Sequence, residues 1–250
     1  MTYPIACIMY RLAATMHTGA KRLALRAAVA MAFGLSLRPG EYLVMEEETP
    51  LTHQANASDC FFVFNDDECV CVCDPHLYPV GRTPSYFLCM FTHLKSDKKG
   101  EGGPRAVGRA PSSSPNHFCC VLALYEYFRA HPGRRETLAL SAHGPGVTWS
   151  EMRTLCHLTA AEAGLDPTRL VPHSWRAGAQ AQLEDESDER RRQQGGWGTI
   201  AGMAAYSRKA LGHARAVAAA LHDPTLCPME QTRMMFGTYP RGHSAVLPER

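Results

Sequence analysis

The 250-residue sequence lacks any long hydrophobic run. A membrane-spanning helix needs about 18 or more consecutive apolar residues, and no stretch approaches that length. The start, MTYPIACIMYRLAATM, also lacks the basic residues, apolar core and small-residue cleavage site of a secretory signal. We therefore expect no membrane association, and a reducing compartment in which the ten cysteines are free thiols rather than disulfides.

The sequence also has little excess of either charge. Its 26 Lys and Arg residues against 24 Asp and Glu give a net charge of +2. Such a weak balance does not by itself indicate nucleic-acid binding, although a basic cleft can be offset by acidic outer faces. Internal repeats are absent as well. The hydrophobic content of 45% is enough for one large domain or two small ones.

The pattern of apolar and turn residues predicts a mainly α chain with a small antiparallel β-sheet. Strands are expected over 60–64, 69–73 and 86–94. Helices are expected over 20–33, 117–131, 151–163, 199–208 and 208–221. A short helix is also expected to begin at Glu41, and another to run from just after Pro172 to about residue 183. Ser150 is the expected N-cap of the helix over 151–163, and Gly164 its end.

A His-x-x-Arg motif occurs twice. His131 and Arg134 span a helix-breaking Pro-Gly pair, which favours a solvated loop. His173 and Arg176, in VPHSWRAGAQAQ, are predicted to lie on a helix, where residues three apart share one face. An imidazole and a guanidinium that point to one place suit a phosphate, because arginine binds phosphate oxygens bidentately.

Other polar residues accompany this pair in a definite order. Arg38 stands in LSLRPGEYL with Glu41 three residues later, and Lys95 follows the predicted strand in THLKSDKKG. Trp197 and Tyr206 come after the pair, in GGWGTIAGMAAYSR. None of these residues is specific alone, so the prediction depends on the complete ordered set.

This set resembles the catalytic domain of the tyrosine recombinases, which include phage integrases and chromosome-dimer resolvases. The matching residues are Arg38, Lys95, His173, Arg176, Trp197 and Tyr206. The family usually has an acidic residue three positions after its first arginine, and Glu41 matches it. A tryptophan before the tyrosine is most similar to the Crypton- and DIRS-type recombinases of eukaryotic mobile elements.

The resemblance covers residues 20–222 and implies the tyrosine-recombinase catalytic-domain fold. Residues 1–19 are then an N-terminal lead-in and 223–250 a C-terminal tail. The distance between Arg38 and His173 is longer than in compact phage integrases, so we expect irregular insertions at 47–84 and 100–116.

The resemblance also implies a site-specific DNA recombinase that uses a 3′-phosphotyrosine intermediate. Tyr206 would attack the scissile phosphorus, Arg38 and Arg176 would clamp its oxygens, and Lys95 would protonate the leaving 5′-oxygen. His173 would assist proton transfer or bind the phosphate, Trp197 would donate its indole N–H, and Glu41 would orient an arginine. No metal or nucleotide cofactor is required. Double-stranded DNA and a homo-tetramer on DNA are the expected partners, in the nucleus of a eukaryote or otherwise in the cytoplasm.

Each residue also has an ordinary interpretation. Arg38 could cap a helix C-terminus through its charge, and Trp197 could anchor a core. Lys98 and Lys99 compete with Lys95 as the general acid and are candidate DNA contacts. Tyr206 could be a half-buried helix residue, although Tyr239, the rival nucleophile, precedes a proline in the tail.

Two further stretches have open interpretations. Arg190, Arg191 and Arg192 contact the DNA backbone or form a solvated run balanced by neighbouring acidic residues. Cys69, Cys71 and Cys73, with His76 after them, are expected to form a buried strand face rather than a metal site, because zinc ligands usually have wider spacing.

Two other functions stay open. A type IB topoisomerase shares the tyrosine nucleophile and the arginine clamp. A catalytically inactive DNA-binding remnant is the other, because family members normally carry a separate helical DNA-clamping domain. Only about 20 residues precede the first predicted helix here, and fewer phosphate contacts mean weaker DNA binding.

Overall fold

A computed structural model describes residues 2–45, 56–64, 71–72, 74–91, 103–111, 118–132, 145–175, 178–179 and 221. Within these residues the chain is mostly helical with a small antiparallel sheet, which confirms the predicted class. No helix of this part of the chain is both long and apolar enough to cross a bilayer. Leu221, at the end of the helix predicted over 208–221, is helical and buried.

The described helices and strands follow the chain in a helix–sheet–helix order. The helices are α1 (Tyr3–Met16), α2 (Gly19–Gly34), α3 (Pro39–Tyr42), α4 (Cys120–Ala130) and α5 (Trp149–Ala163). The strands are β1 (Cys60–Val63), β2 (Cys71–Val72), β3 (Tyr86–Phe91) and β4 (Gly103–Gly108). Two single 3₁₀ turns, Ala57–Asp59 and Pro75–Leu77, flank the β1–β2 hairpin. Six of the predicted segments are therefore found within the described residues, at α2, α4, α5, β1, β2 and β3. The helix predicted from Glu41 is α3, which begins two residues earlier.

Helix α1 was not predicted, because residues 1–19 were assigned only as a lead-in. Ile5, Met9 and Ala13 form a fully buried stripe at intervals of four residues, the spacing of one helix face. Through this stripe α1 packs against α2 and α5. The N-terminal segment is thus part of the core and carries a helical signal that the sequence analysis overlooked.

Helices α2 and α4 approach each other very closely in the main core. A Cβ atom on Gly34 would lie 2.8 Å from the Sγ of Cys120, so only glycine fits there without a shift. Beside this contact, the rings of Tyr3, Phe33 and Phe118 lie within 6.3 Å of one another, and the Tyr3 hydroxyl donates to the Phe118 carbonyl oxygen at 3.2 Å. The aromatic cluster therefore ties α1 to the α2–α4 pair.

The four strands pair antiparallel in the order β2-β1-β3-β4. Strand β4 corrects the sequence analysis, which placed residues 100–116 in an irregular insertion. Pro104 and the flanking glycines disfavour a strand, but β4 is the last strand in the described order, where proline is tolerated. Its partner β3 lies alongside it from Tyr86↔Gly108 to Phe91↔Gly103. The predicted insertion is therefore partly a sheet strand.

Helix α5 begins at a capping box formed by Thr148 rather than by Ser150, which corrects the predicted N-cap. The Thr148 Oγ1 accepts from the Glu151 backbone N–H at 3.2 Å, and the Glu151 carboxylate accepts from the Thr148 N–H at 2.8 Å. Lys21 of α2 lies 2.8 Å from the same carboxylate. Gly164 ends α5 in the left-handed region, at φ 67°, as predicted.

The corrected cap gives a paired stability prediction. Replacing Thr148 by alanine removes the acceptor for the Glu151 N–H, so we expect a loss of about 1 kcal/mol in the free energy of unfolding. Ser150 is exposed and its side chain caps nothing in the described residues, so S150A should change stability by less than about 0.5 kcal/mol. Urea unfolding followed by circular dichroism measures both. A larger loss in S150A than in T148A would contradict the assignment.

Candidate functional site

Three of the predicted site residues lie in the described part of the chain: Arg38, Glu41 and His173. The other catalytic candidates lie outside the described residues: Lys95, Arg176, Trp197 and Tyr206. The same holds for the proposed DNA contacts Lys98, Lys99, Arg190, Arg191 and Arg192, and for the rival nucleophile Tyr239. The structure therefore describes three of the seven predicted residues, counting the six catalytic ones and Glu41.

Arg38 stands at the start of a helix, not at the end of one. Helix α2 ends at Gly34, and Arg38 is the N-cap residue of α3, with Pro39 in the first turn. The interpretation of Arg38 as a charge that caps a helix C-terminus is therefore wrong. Proline suits this first position, because its missing N–H would have no helical partner there.

Glu41 fixes both the backbone and the side chain of Arg38. Its Oε2 accepts from the Arg38 backbone N–H at 2.7 Å, and its Oε1 accepts from Arg38 Nη1 at 3.1 Å. A guanidinium has no acceptor, so this is only the carboxylate half of a capping box. The Arg38 side chain is 22% exposed, against 6% for Glu41. A buried carboxylate thus holds a guanidinium that reaches the surface.

A second arginine, Arg105 of β4, shares this carboxylate. Its Nη1 lies 3.6 Å from Glu41 Oε2, and its side chain is fully buried. Burial lowers the pKa of Arg105, while the charge of Glu41 raises it and that of Arg38 lowers it. We name Arg38, Glu41 and Arg105 the arginine cluster. Two guanidinium groups around one carboxylate leave it with a positive charge, which suits an anion.

Arg105 was missed by the sequence analysis, which placed it in an irregular loop. No local signal marks it, because its partners lie far away in the chain. Its Nη1 also donates to the carbonyl oxygens of Leu35 and Ser36, at 3.1 and 3.3 Å. These bonds connect β4 to the loop that leads from α2 to Arg38.

The β3–β4 connection, which contains Lys95, starts beside the arginine cluster. Phe91 is the last residue of β3, and the Arg105 guanidinium carbon lies 5.0 Å from the centre of its ring. Lys95 follows Phe91 by four residues in the sequence. The point from which the chain leaves β3 toward Lys95 is therefore in contact with the residues that hold Arg38.

His173 was predicted to lie on a helix, but it lies in the turn directly before the helical residues 174–175. Its side chain is exposed, whereas Trp175 is fully buried. The Ser174 N–H donates to the Val171 carbonyl oxygen at 2.8 Å, and the Ser174 hydroxyl accepts from the Val171 N–H at 3.2 Å. A buried tryptophan and a closed turn thus hold an exposed histidine.

Side chains from the segments that carry Arg38 and His173 both lie close to Cys156 of helix α5. Burial raises the pKa of Tyr42, in α3, well above its usual value, and the neighbouring Cys156 and Glu41 add to the effect. Burial also raises the pKa of Cys156, in α5, to about 12, and the Trp175 side chain opposes this. The Trp175 indole N–H lies near that sulfur without meeting hydrogen-bond geometry. Cys156 therefore lies between the helix begun by Arg38 and the residue that precedes Arg176.

A short backbone bridge fixes α5 relative to the end of α3. The Val44 N–H donates to the Val147 carbonyl oxygen at 2.8 Å, and the Trp149 N–H donates to the Val44 carbonyl oxygen at 3.1 Å. The bridge joins the first turn of α5 to the residues that directly follow α3 in the chain. Helix α5 is thus a common support for the Arg38 and His173 segments.

The first His-x-x-Arg motif and the cysteine-rich stretch are only partly covered by the described residues. His131 ends α4, with its Nδ1 2.8 Å from the Tyr127 carbonyl oxygen, and Arg134 lies outside the described part. The side chains of Cys69, Cys71 and Cys73 also lie outside it, and His76 is exposed. Within the described ranges, no group of three or more His, Cys, Asp or Glu side chains could hold a metal ion.

The arginine cluster gives a second paired prediction. Replacing Glu41 by alanine leaves the buried Arg105 cation without its carboxylate, so we expect a loss of about 3 kcal/mol in the free energy of unfolding. E126A is the matched control, because Glu126 is 54% exposed and lies 3.8 Å from Arg26. It should cost less than about 1 kcal/mol. Chemical unfolding of both variants tests this, and equal small losses would show that Glu41 does not hold the cluster.

Comparisons of the chain with protein-family models, with curated proteins and with solved structures find no match. The function is therefore inferred from the chain's own residues. Among the described ones, these are the arginine cluster, the exposed His173 and the helix α5 that supports both.

Proposed function

We propose that the chain is a tyrosine-type site-specific DNA recombinase or integrase, of a mobile element, with the tyrosine-recombinase catalytic-domain fold. The observation that carries the proposal is the Arg38–Glu41 pair. A partly exposed guanidinium, fixed through a buried carboxylate at the start of a helix, is a preorganised donor for a phosphate oxygen. The ordered residues Lys95, His173, Arg176, Trp197 and Tyr206 supply the remaining chemistry.

The proposed reaction conserves the phosphodiester energy through two reversible transfers. The Tyr206 hydroxyl oxygen attacks the scissile phosphorus, and the bond from phosphorus to the 5′-oxygen breaks. His173 accepts the tyrosine proton, and Lys95 gives a proton to the departing 5′-oxygen. The 5′-hydroxyl of the partner strand then attacks the phosphotyrosine, which restores the tyrosine and completes the exchange.

The arginines act on the charge that develops during this transfer. Negative charge builds on the non-bridging oxygens of the pentavalent phosphorus, and Arg38 and Arg176 would bind these oxygens from two sides. Trp197 donates its indole N–H there but cannot move a proton. No metal or nucleotide cofactor takes part in the proposed steps. Double-stranded DNA is the proposed substrate, bound by a homo-tetramer, in the nucleus if the host is eukaryotic.

Trapping of the covalent intermediate tests the nucleophile. In nicked duplexes with randomised bases around the nick, cleavage releases a short strand that cannot rejoin. We expect an adduct that survives denaturing electrophoresis, is absent from Y206F and is kept in Y239F, the control. R38A should slow its formation by about 10²–10³-fold.

The other outcomes identify the competing functions. An adduct that survives Y206F would show that the nucleophile is misassigned, and no adduct from the wild type would favour an inactive remnant. A sequence recovered from the adducts is then placed once or twice in a supercoiled plasmid. Exchange between two sites indicates a recombinase, whereas relaxation of the single-site plasmid without exchange indicates a topoisomerase.

A further inference from the structure

We expect Arg105 to contribute little to the stability of the fold. Its side chain is 1% exposed, and its Nε and Nη2 groups have no hydrogen-bond partner in the described residues. A buried cation with unpaired donors is a poor source of stability, and an apolar side chain of similar volume often serves as well. The hydrogen bonds and the ion pair of Arg105 lead to residues 35–41, the segment that presents Arg38.

The first set of contacts holds the loop before Arg38. Arg105 Nη1 binds the carbonyl oxygens of Leu35 and Ser36 together. Ser36 has φ 51°, in the left-handed region that costs a residue with a Cβ atom free energy. A conformation of this kind persists only where its surroundings enforce it. Arg105 is therefore part of what fixes the backbone that leads to Arg38.

The second contact divides the Glu41 carboxylate. Arg105 lies 3.6 Å from Oε2, while the Arg38 guanidinium makes one hydrogen bond, from Nη1 to Oε1. A free carboxylate would favour a bidentate pair with Arg38, which would occupy two of its N–H groups. Oε2 instead accepts from the Arg38 backbone N–H at 2.7 Å and has the Arg105 cation beside it. The second nitrogen of the Arg38 guanidinium is therefore not drawn to Oε2 and can bind an anion.

We propose that Arg105 is a positioning residue that sets the Arg38 guanidinium for a phosphate, by sharing Glu41 and by fixing the 35–37 loop. This inference rests on the proposed function. It assigns to Arg105 no contact with DNA, since its side chain is buried. It requires that loss of Arg105 weakens phosphate activation through Arg38 and through no other residue.

The test compares adduct formation by R105M, R105K, R38A and the double variant R38A/R105M. The substrates are a nicked duplex that the wild type cleaves and the same duplex with a neutral methylphosphonate at the scissile position. Loss of positioning should slow R105M at least about tenfold on the phosphate. It should slow R105M less than about twofold on the methylphosphonate, which has lost the charge that Arg38 binds. R105K, which keeps the cation but not the forked geometry, should fall between R105M and the wild type.

Coupling to Arg38 separates positioning from a general structural role. If Arg105 acts through Arg38, R38A/R105M forms the adduct as slowly as R38A and no slower. R109M is the matched control, because Arg109 follows β4, is exposed, and its guanidinium donates to the Thr83 hydroxyl and not to the arginine cluster. It should cleave both substrates at the wild-type rate. Thermal unfolding of each variant fixes a temperature at which all are folded, and R105K serves alone if R105M does not fold.

Several results would overturn the inference while leaving the proposed function intact. Wild-type rates in R105M and R105K would do so, as would equal slowing on both substrates or a further loss in the double variant. Failure of the proposed function gives a different result, since the wild type itself would then form no Tyr206-dependent adduct.

Discussion

The described part of the site depends on one buried carboxylate. Glu41 binds the backbone and the guanidinium of Arg38 and lies 3.6 Å from the buried Arg105. A buried charge is tolerated only where opposite charge and hydrogen bonds surround it, so removal of the carboxylate alone destabilises the cluster. The same carboxylate joins α3, the loop after α2 and strand β4. The arginine cluster therefore links the stability of the fold to the orientation of the partly exposed Arg38 guanidinium.

Local patterns predicted the helices and strands whose signals lie within a few residues. Apolar periodicity marked α2, α4 and α5, and Gly164 marked the end of α5. Strand β4 was missed because its glycines and Pro104 disfavour a strand, and only pairing with β3 decides it. The N-cap of α5 was misplaced by two residues because Thr148 and Ser150 have similar side chains, and only the reciprocal bonds with Glu151 distinguish them.

The residues of the candidate site likewise fall into two groups, those that the sequence predicted and those that depend on tertiary contacts. Glu41 was predicted to orient an arginine because the resembled family has an acidic residue three positions after its first arginine. The structure shows a hydrogen bond from Arg38 Nη1 to Glu41 Oε1. Arg105 was not predicted because its role comes from tertiary contacts with Leu35, Ser36 and Glu41. The common support of α5 for Arg38 and His173 is likewise a matter of packing around Cys156. The proposed phosphate clamp would need such a common support, since its donors must be in place before charge develops.

The central claim is that Arg38 and Arg176 bind one phosphate together. Orthovanadate adopts the five-coordinate geometry of phosphoryl transfer, so a crystal structure of the full chain grown with it tests the claim without a known DNA site. The account predicts one vanadate with both guanidinium groups within hydrogen-bond distance and the Tyr206 hydroxyl beside the vanadium. Arg38 and Arg176 on separate surfaces, with no vanadate between them, would contradict it.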